Sequence, residues 1–74
     1  MRRDDLDRYL NRYPFQPFRL FLSTGAFVDI RYPQSASLTP STLTVGLPLE
    51  GDKQRFLEIA LLHIVWVEVL LPTL

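Results

Sequence analysis

Seventy-four residues make one domain near the lower size limit for an unassisted core, and without Cys neither a disulfide nor a thiolate zinc site can brace it. With 47% apolar residues, dense packing or self-association has to supply what those staples would have given. The formal net charge is zero, which excludes the dense basic face of a typical nucleic-acid binder, although residues 1–37 stand at +2 and residues 38–74 at −2.

No secretory leader is expected, because Arg2 and Arg3 run into Asp4, Asp5 and Asp7 instead of an apolar stretch. A Cys-free chain of this kind fits a reducing, cytoplasmic setting. The longest apolar stretch, Phe56 to Leu71, is broken by Glu58, His63 and Glu68. A spanning helix needs about twenty apolar residues, and each central charge costs about 2.5–3.5 kcal/mol. No membrane insertion is expected.

In chain order, Leu6, Tyr9, Leu10 and Tyr13 form one apolar stripe at helical spacing, which predicts a helix over residues 4–13. Asp4 or Asp5 can cap its start, Arg8 and Arg12 suit its end, and Pro14 stops it. Pro14-Phe15-Gln16-Pro17 reads as a stiff connector whose Phe15, with Phe18, plugs the core. The period then switches to two. Strands are predicted over residues 18–23 and 27–32, joined by a three-residue loop, Thr24 to Ala26. That loop pairs Leu22 with Val28, Leu20 with Ile30 and Phe18 with Tyr32, and keeps one face apolar.

Residues 34–40 read as a polar loop, residues 42–47 as a third strand, and Pro48 to Lys53 as a turn around Gly51-Asp52. A fourth strand is predicted over residues 54–60 and a fifth over residues 63–70. Ala60-Leu61-Leu62 between them contains no turn residue, so they form either a hairpin on a very tight, partly helical turn or one long bent strand. In the fifth strand Ile64, Trp66 and Glu68 alternate with Val65, Val67 and Val69. Both faces are largely apolar, so both want cover, and one helix covers only one. This predicts a homo-oligomer assembled through the last two strands, with Phe56, Glu58, Ile64, Trp66 and Glu68 at the subunit interface.

The order of a helix, a hairpin, a third strand and two tightly joined strands resembles the Sm-like fold. So do the Leu20-Phe21-Leu22-Ser23-Thr24-Gly25 segment and the Leu61-Leu62-His63-Ile64-Val65 segment. The resemblance implies a mainly β domain with one N-terminal α-helix, whose five strands form a strongly bent antiparallel sheet or small SH3-type barrel. It also implies rings built by pairing the fourth strand of one subunit with the fifth of the next. Pro14 to Arg19 and Leu61 to Val65 are similar to segments of a set of short bacterial proteins with a Pro-Phe-x-Pro-Phe-Arg opening and a Leu-Leu-His-Ile-Val close. Where Sm-like RNA chaperones carry Tyr-Lys-His, this chain has Leu61-Leu62-His63, lacking the stacking ring and the cation.

One His and no Cys leave a thin catalytic inventory. A Ser–His–Asp set needs His63 beside Ser and Asp residues that lie in distant turns. Glu58, His63 and Glu68 match no metal-ligand spacing, and Gly25, Gly46 and Gly51 form no phosphate loop. The expectation is a non-enzymatic, self-assembling structural or protein-interaction module, without cofactor or metal. The alternative is an RNA-binding Sm-like ring using Arg2, Arg3, Arg8, Arg12 and His63.

Overall fold

The computed structural model describes residues 1–71, with the backbone alone at residues 48–50. The domain is mainly β with one short N-terminal helix, and its strands form two small antiparallel sheets. Helix α1 (Arg3–Leu10) leads into β1 (Phe18–Leu22) and β2 (Phe27–Ile30). A 3-10 turn (Pro33–Ser35) precedes β3 (Ala36–Leu38) and β4 (Thr42–Glu50). After β5 (Lys53–Ala60), a second 3-10 turn (Leu61–His63) leads to β6 (Ile64–Val69). The first sheet is ordered β2-β1-β6 and the second β3-β4-β5.

Among the described residues, six strands in two sheets that do not close into a barrel replace the expected single sheet of five. The additional strand is β3, inside the segment expected to be a polar loop. Its hairpin with β4 rests on a Thr39-Pro40-Ser41-Thr42 turn, with Pro at the second position, where its fixed φ is favourable. Thr39 Oγ1 accepts from the backbone N–H of Thr42 (2.9 Å), and the Thr39 N–H donates to the Thr42 carbonyl (2.9 Å). The break between β2 and β3 falls at Pro33, which has no N–H to give a ladder and opens a 3-10 turn instead.

Helix α1 ends three residues before the expected position. Asn11 leaves helical geometry at φ −103° and ψ 9°, and its side-chain amide donates to the Asp7 carbonyl (3.0 Å) and carboxylate (2.9 Å). A short polar side chain that bonds back to the last turn competes with continuation of the helix. Asp4 and Asp5 lie in the first turn, where they oppose the helix dipole, while the cap position is Arg2 and makes no side-chain cap bond. The apolar stripe therefore ends at Leu10, and Tyr13 is 97% exposed.

The β1–β2 hairpin has the expected three-residue loop, one position earlier than expected, at Ser23 to Gly25. The Leu22 carbonyl accepts from Gly25 N–H (2.9 Å), and Leu22 N–H donates to Ala26 (2.8 Å). Gly25 sits at φ +91°, a conformation that costs other L-residues about 1–2 kcal/mol. The register pairs Phe18 with Ile30 and Leu20 with Val28, a slip of two positions from the expected pairing with Tyr32 and Ile30. A slip of two leaves every side chain on its face, so the apolar face persists and only Tyr32 is lost to solvent.

The last two strands form neither a hairpin nor one bent strand. β5 belongs to the second sheet and β6 to the first, joined by Leu61–His63. Side chains three apart on a 3-10 turn eclipse one another, and here Leu61 and Ile64 both enter the core while Leu62 faces solvent. A single helical turn thus joins the sheets without Gly or Pro. Between Phe21 and Leu22 the β1–β6 ladder skips Val65, a bulge that changes which face follows which. Ile64 and Val67 consequently both turn toward the core. Ile64, expected at a subunit interface, is a buried core residue.

The core is one cluster: Leu6 from α1, Phe18 and Leu20 from β1, Val28 and Ile30 from β2, Leu43 and Val45 from β4, with Ile59, Leu61 and Ile64. Leu6 is the helix residue fully inside it, at 0% exposure, while Tyr9, Leu10 and Phe15 pack against the cluster from outside. Replacing Leu6 by Ala is expected to cost about 2–5 kcal/mol, a large part of the stability of so small a domain. Urea denaturation checks this: the midpoint falls with the slope unchanged, whereas a midpoint within error of the parent would show that α1 contributes little to the core.

Candidate interaction surface

Strand β1 lies between β2 and β6, so its outward residues Arg19 and Phe21 each have a cross-strand neighbour on both sides. Phe21 is opposite Phe27 on β2 and Trp66 on β6. The ring centroids lie 6.3 Å and 5.1 Å apart, within the range of tilted aromatic contacts. One step along, Arg19 is opposite Asp29 on β2 and Glu68 on β6. The outer face of the first sheet thus carries two rungs, an aromatic one (Trp66, Phe21, Phe27) and an ionic one (Glu68, Arg19, Asp29). Directly opposed pairs are the main side-chain stabilisers of a sheet.

The rungs are tied together. Arg19 Nε donates to Asp29 Oδ1 (2.6 Å) and Nη2 donates to Oδ2 (3.1 Å), a two-point carboxylate contact. The guanidinium carbon lies 4.1 Å from the centroid of Phe27. Arg31 approaches the same carboxylate at 3.6 Å. Hydrogen bonding from Arg19 holds the Asp29 carboxyl below its usual range, against the opposing effect of desolvation. The same bond raises the Arg19 guanidinium above its ordinary value. The ionic rung sets two carboxylates about Arg19, with Arg31 paired to the same Asp29, so it carries no basic surplus for a phosphate backbone.

Of the residues expected at a subunit interface, Phe56 and Glu58 share the outward face of β5, and Trp66 and Glu68 share that of β6. Phe56 is 62% exposed opposite Gly46, and Trp66 is 60% exposed over Phe21. Glu58 Oε1 accepts a long hydrogen bond from Thr42 Oγ1 (3.5 Å). The fold puts these two pairs in different sheets and does not join them within one chain. β5 and β6 are each an outer strand of their sheet.

The residues expected to contact RNA lie at the start of and along α1, just beyond it, and on the second 3-10 turn. Arg2, Arg3 and Arg8 are exposed along α1, Arg8 bonded to Asp5 one turn away. Arg12 lies beyond the helix, hydrogen-bonded to Gln16 Oε1 (3.3 Å) and 5.2 Å from the Tyr9 ring centroid. His63 sits on the second 3-10 turn, and the nitrogen of Met1 donates to Leu61 O (2.7 Å) and Ile64 O (3.2 Å), so the start of α1 lies beside that turn. Contrary to the expectation from sequence distance, His63 does have a Ser neighbour. Ser23 Oγ is 3.1 Å from His63 Nδ1, and Ser23 N–H donates to the His63 carbonyl (2.8 Å). This contact ties the hairpin loop to the 3-10 turn, and both side chains are exposed. Among the described residues no ionisable side chain is buried and no three His, Asp or Glu residues group as metal ligands. No helix among them is long and apolar enough to cross a membrane.

No family model, no curated protein and no solved structure gives a significant match to this chain.

The Arg19–Asp29 pair makes stability depend on acid. A carboxyl whose folded pKa is lowered stabilises fully above the ordinary carboxylate range, and the contribution is lost as pH falls from there through the lowered value. Asp29→Asn is expected to destabilise the domain at neutral pH and to differ progressively less from the parent as the pH falls through that window. Denaturation midpoints measured across the acid range check this, and a gap independent of pH would show that the pair contributes through shape alone.

Proposed function

We propose that the domain is a non-enzymatic, self-assembling module of the Sm-like kind, whose copies join by pairing the outer edge of β5 with the outer edge of β6 in the next copy. The observation that carries this reading is that each sheet ends in a strand bearing a large, exposed aromatic residue, Phe56 on β5 and Trp66 on β6. An open antiparallel edge presents a row of backbone donors and acceptors, and natural chains protect such edges or use them. Strand order supports the Sm-like reading. Followed through the first 3-10 turn, it runs β5-β4-β3/β2-β1-β6, one bent succession with the last two strands at opposite ends.

Setting Phe56 opposite Trp66 of the next copy keeps outward faces outward on both strands up to the Val65 bulge. In that antiparallel register Gln54 falls opposite Glu68, Arg55 opposite Val67 and Leu57 opposite Val65, so no two like charges oppose each other. The two edges differ in sequence, so the contact is head-to-tail and generates either a closed ring or an open filament. With Arg31 paired to Asp29 the outer rung is balanced in charge and offers no basic surplus, which favours a protein surface over an RNA one.

Light scattering over a wide concentration range tests the assembly. The parent is expected to give a multiple of the chain mass, and Trp66→Asp and Phe56→Asp each to give a monomer with unchanged far-ultraviolet circular dichroism. A parent that stays monomeric at millimolar concentration overturns the proposal, as does an oligomer that survives both substitutions. Salt-sensitive binding to poly-uridine by the monomeric variants would assign the domain to RNA instead.

A further inference from the structure

The first 3-10 turn also determines which edges of β2 and β4 are left unpaired. It carries the chain away from β2, so β2 pairs with β1 alone, and it starts β3 only at Ala36, opposite Val45. Beyond Val45, β4 continues to Glu50 with β5 as its single neighbour. Between β2 and this part of β4 lies a cleft of about 660 Å³. Its walls include Phe27, Val28 and Asp29 on one side, and Gly46 and Leu47 on the other. Successive side chains of a strand point to opposite faces. Three consecutive residues of β2, and two of β4, can line one cleft only if the strands turn their edges toward it. The cleft thus opens at the edges of both strands, where Val28 of the core and Leu47 and Leu57 packed against it also line it.

We propose that this cleft receives an extended peptide segment of a partner protein, which adds as a strand to β2 and carries an acidic residue opposite Arg31. Backbone edges select the conformation, because only an extended chain matches their alternating donors and acceptors. β2 offers four residues, about 13 Å of strand, room for a short segment and not for a domain. The space a Cβ at Gly46 would enter is bordered by the Phe56 ring (3.5 Å) and the Ser35 carbonyl (3.7 Å), so Leu47 and Leu57 are the apolar surface left for a residue of the incoming strand. Charge selects the alternate position. Asp29 is already engaged at two points by Arg19, whereas Arg31 approaches it only at 3.6 Å and keeps its side chain 65% exposed at the cleft wall. The site does not depend on the β5–β6 assembly, since the strand it extends is β2, which takes no part in that pairing.

The test uses a blocked hexapeptide of alternating Val and Glu, with one of alternating Val and Lys as its counterpart. Amide hydrogen exchange of the full chain is followed by NMR. With millimolar Val–Glu peptide, the amides of Phe27–Ile30 that do not pair with β1 are expected to exchange about tenfold more slowly, and those of β5 and β6 to be unchanged. Arg31→Glu is expected to reverse the preference, with protection by the Val–Lys peptide and none by the Val–Glu peptide. The reversal is a gain of binding that a misfolded variant could not produce. No protection by the Val–Glu peptide, or a preference unaltered by Arg31→Glu, overturns the proposal. Protection of the same amides that rises with protein concentration in the absence of peptide also overturns it, by giving the cleft to a second copy.

Discussion

Everything in this domain is organised around the strict alternation of β1. Phe18 and Leu20 point inward and are almost entirely buried, Arg19 and Phe21 point outward, and a partner strand lies on each side. The inward pair joins the helix, both sheets and the second 3-10 turn into one cluster. The outward pair sits at the middle of both surface rungs. A shift of one residue in this strand would bury Arg19 and expose Leu20, which desolvation of the guanidinium makes prohibitive. The same alternation that secures the core therefore also fixes the chemistry displayed outside.

That alternation is legible in the sequence, as are the three-residue hairpin loop, the place of Gly25 and the core role of Phe18. Parity, not register, is what hydrophobic pattern encodes, so a slip of two in the β1–β2 pairing left the prediction of faces intact while misplacing Tyr32. Three features escaped for identifiable reasons. Ala36–Leu38 is too short to show a period, and its signal lay in the Thr39-Pro40 turn beyond it. The helical turn at Leu61-Leu62-His63 is legible in the sequence, but its crossing from one sheet to the other is not, because nothing local says which sheet a strand joins. The Val65 bulge is invisible to periodicity, and it moved Ile64 from surface to core.

The surface was harder to read than the core. The ionic rung unites Arg19, Asp29 and Glu68, residues 39 positions apart between Asp29 and Glu68, through registers that only the folded sheet establishes. Ser23 and His63 meet for the same reason, across the junction of the two sheets. Sequence spacing reports on one element at a time. A face built from three strands becomes visible only once their order is known.

The position of β6 carries a lesson about how the chain reaches this state. The second sheet is assembled from consecutive segments, β3, β4 and β5, and each of its pairings closes across a short turn. The first sheet is different, since Phe21 must find Trp66, 45 positions later. Loop closure over that distance has to precede any contact that rewards it, so the local sheet gains its ladder early and the first sheet is completed last. Until then one side of β1 stands open with its apolar residues beside it. During synthesis that flank stands open until the 45 residues up to Trp66 have emerged, and an open apolar edge is where wrong partners can pair.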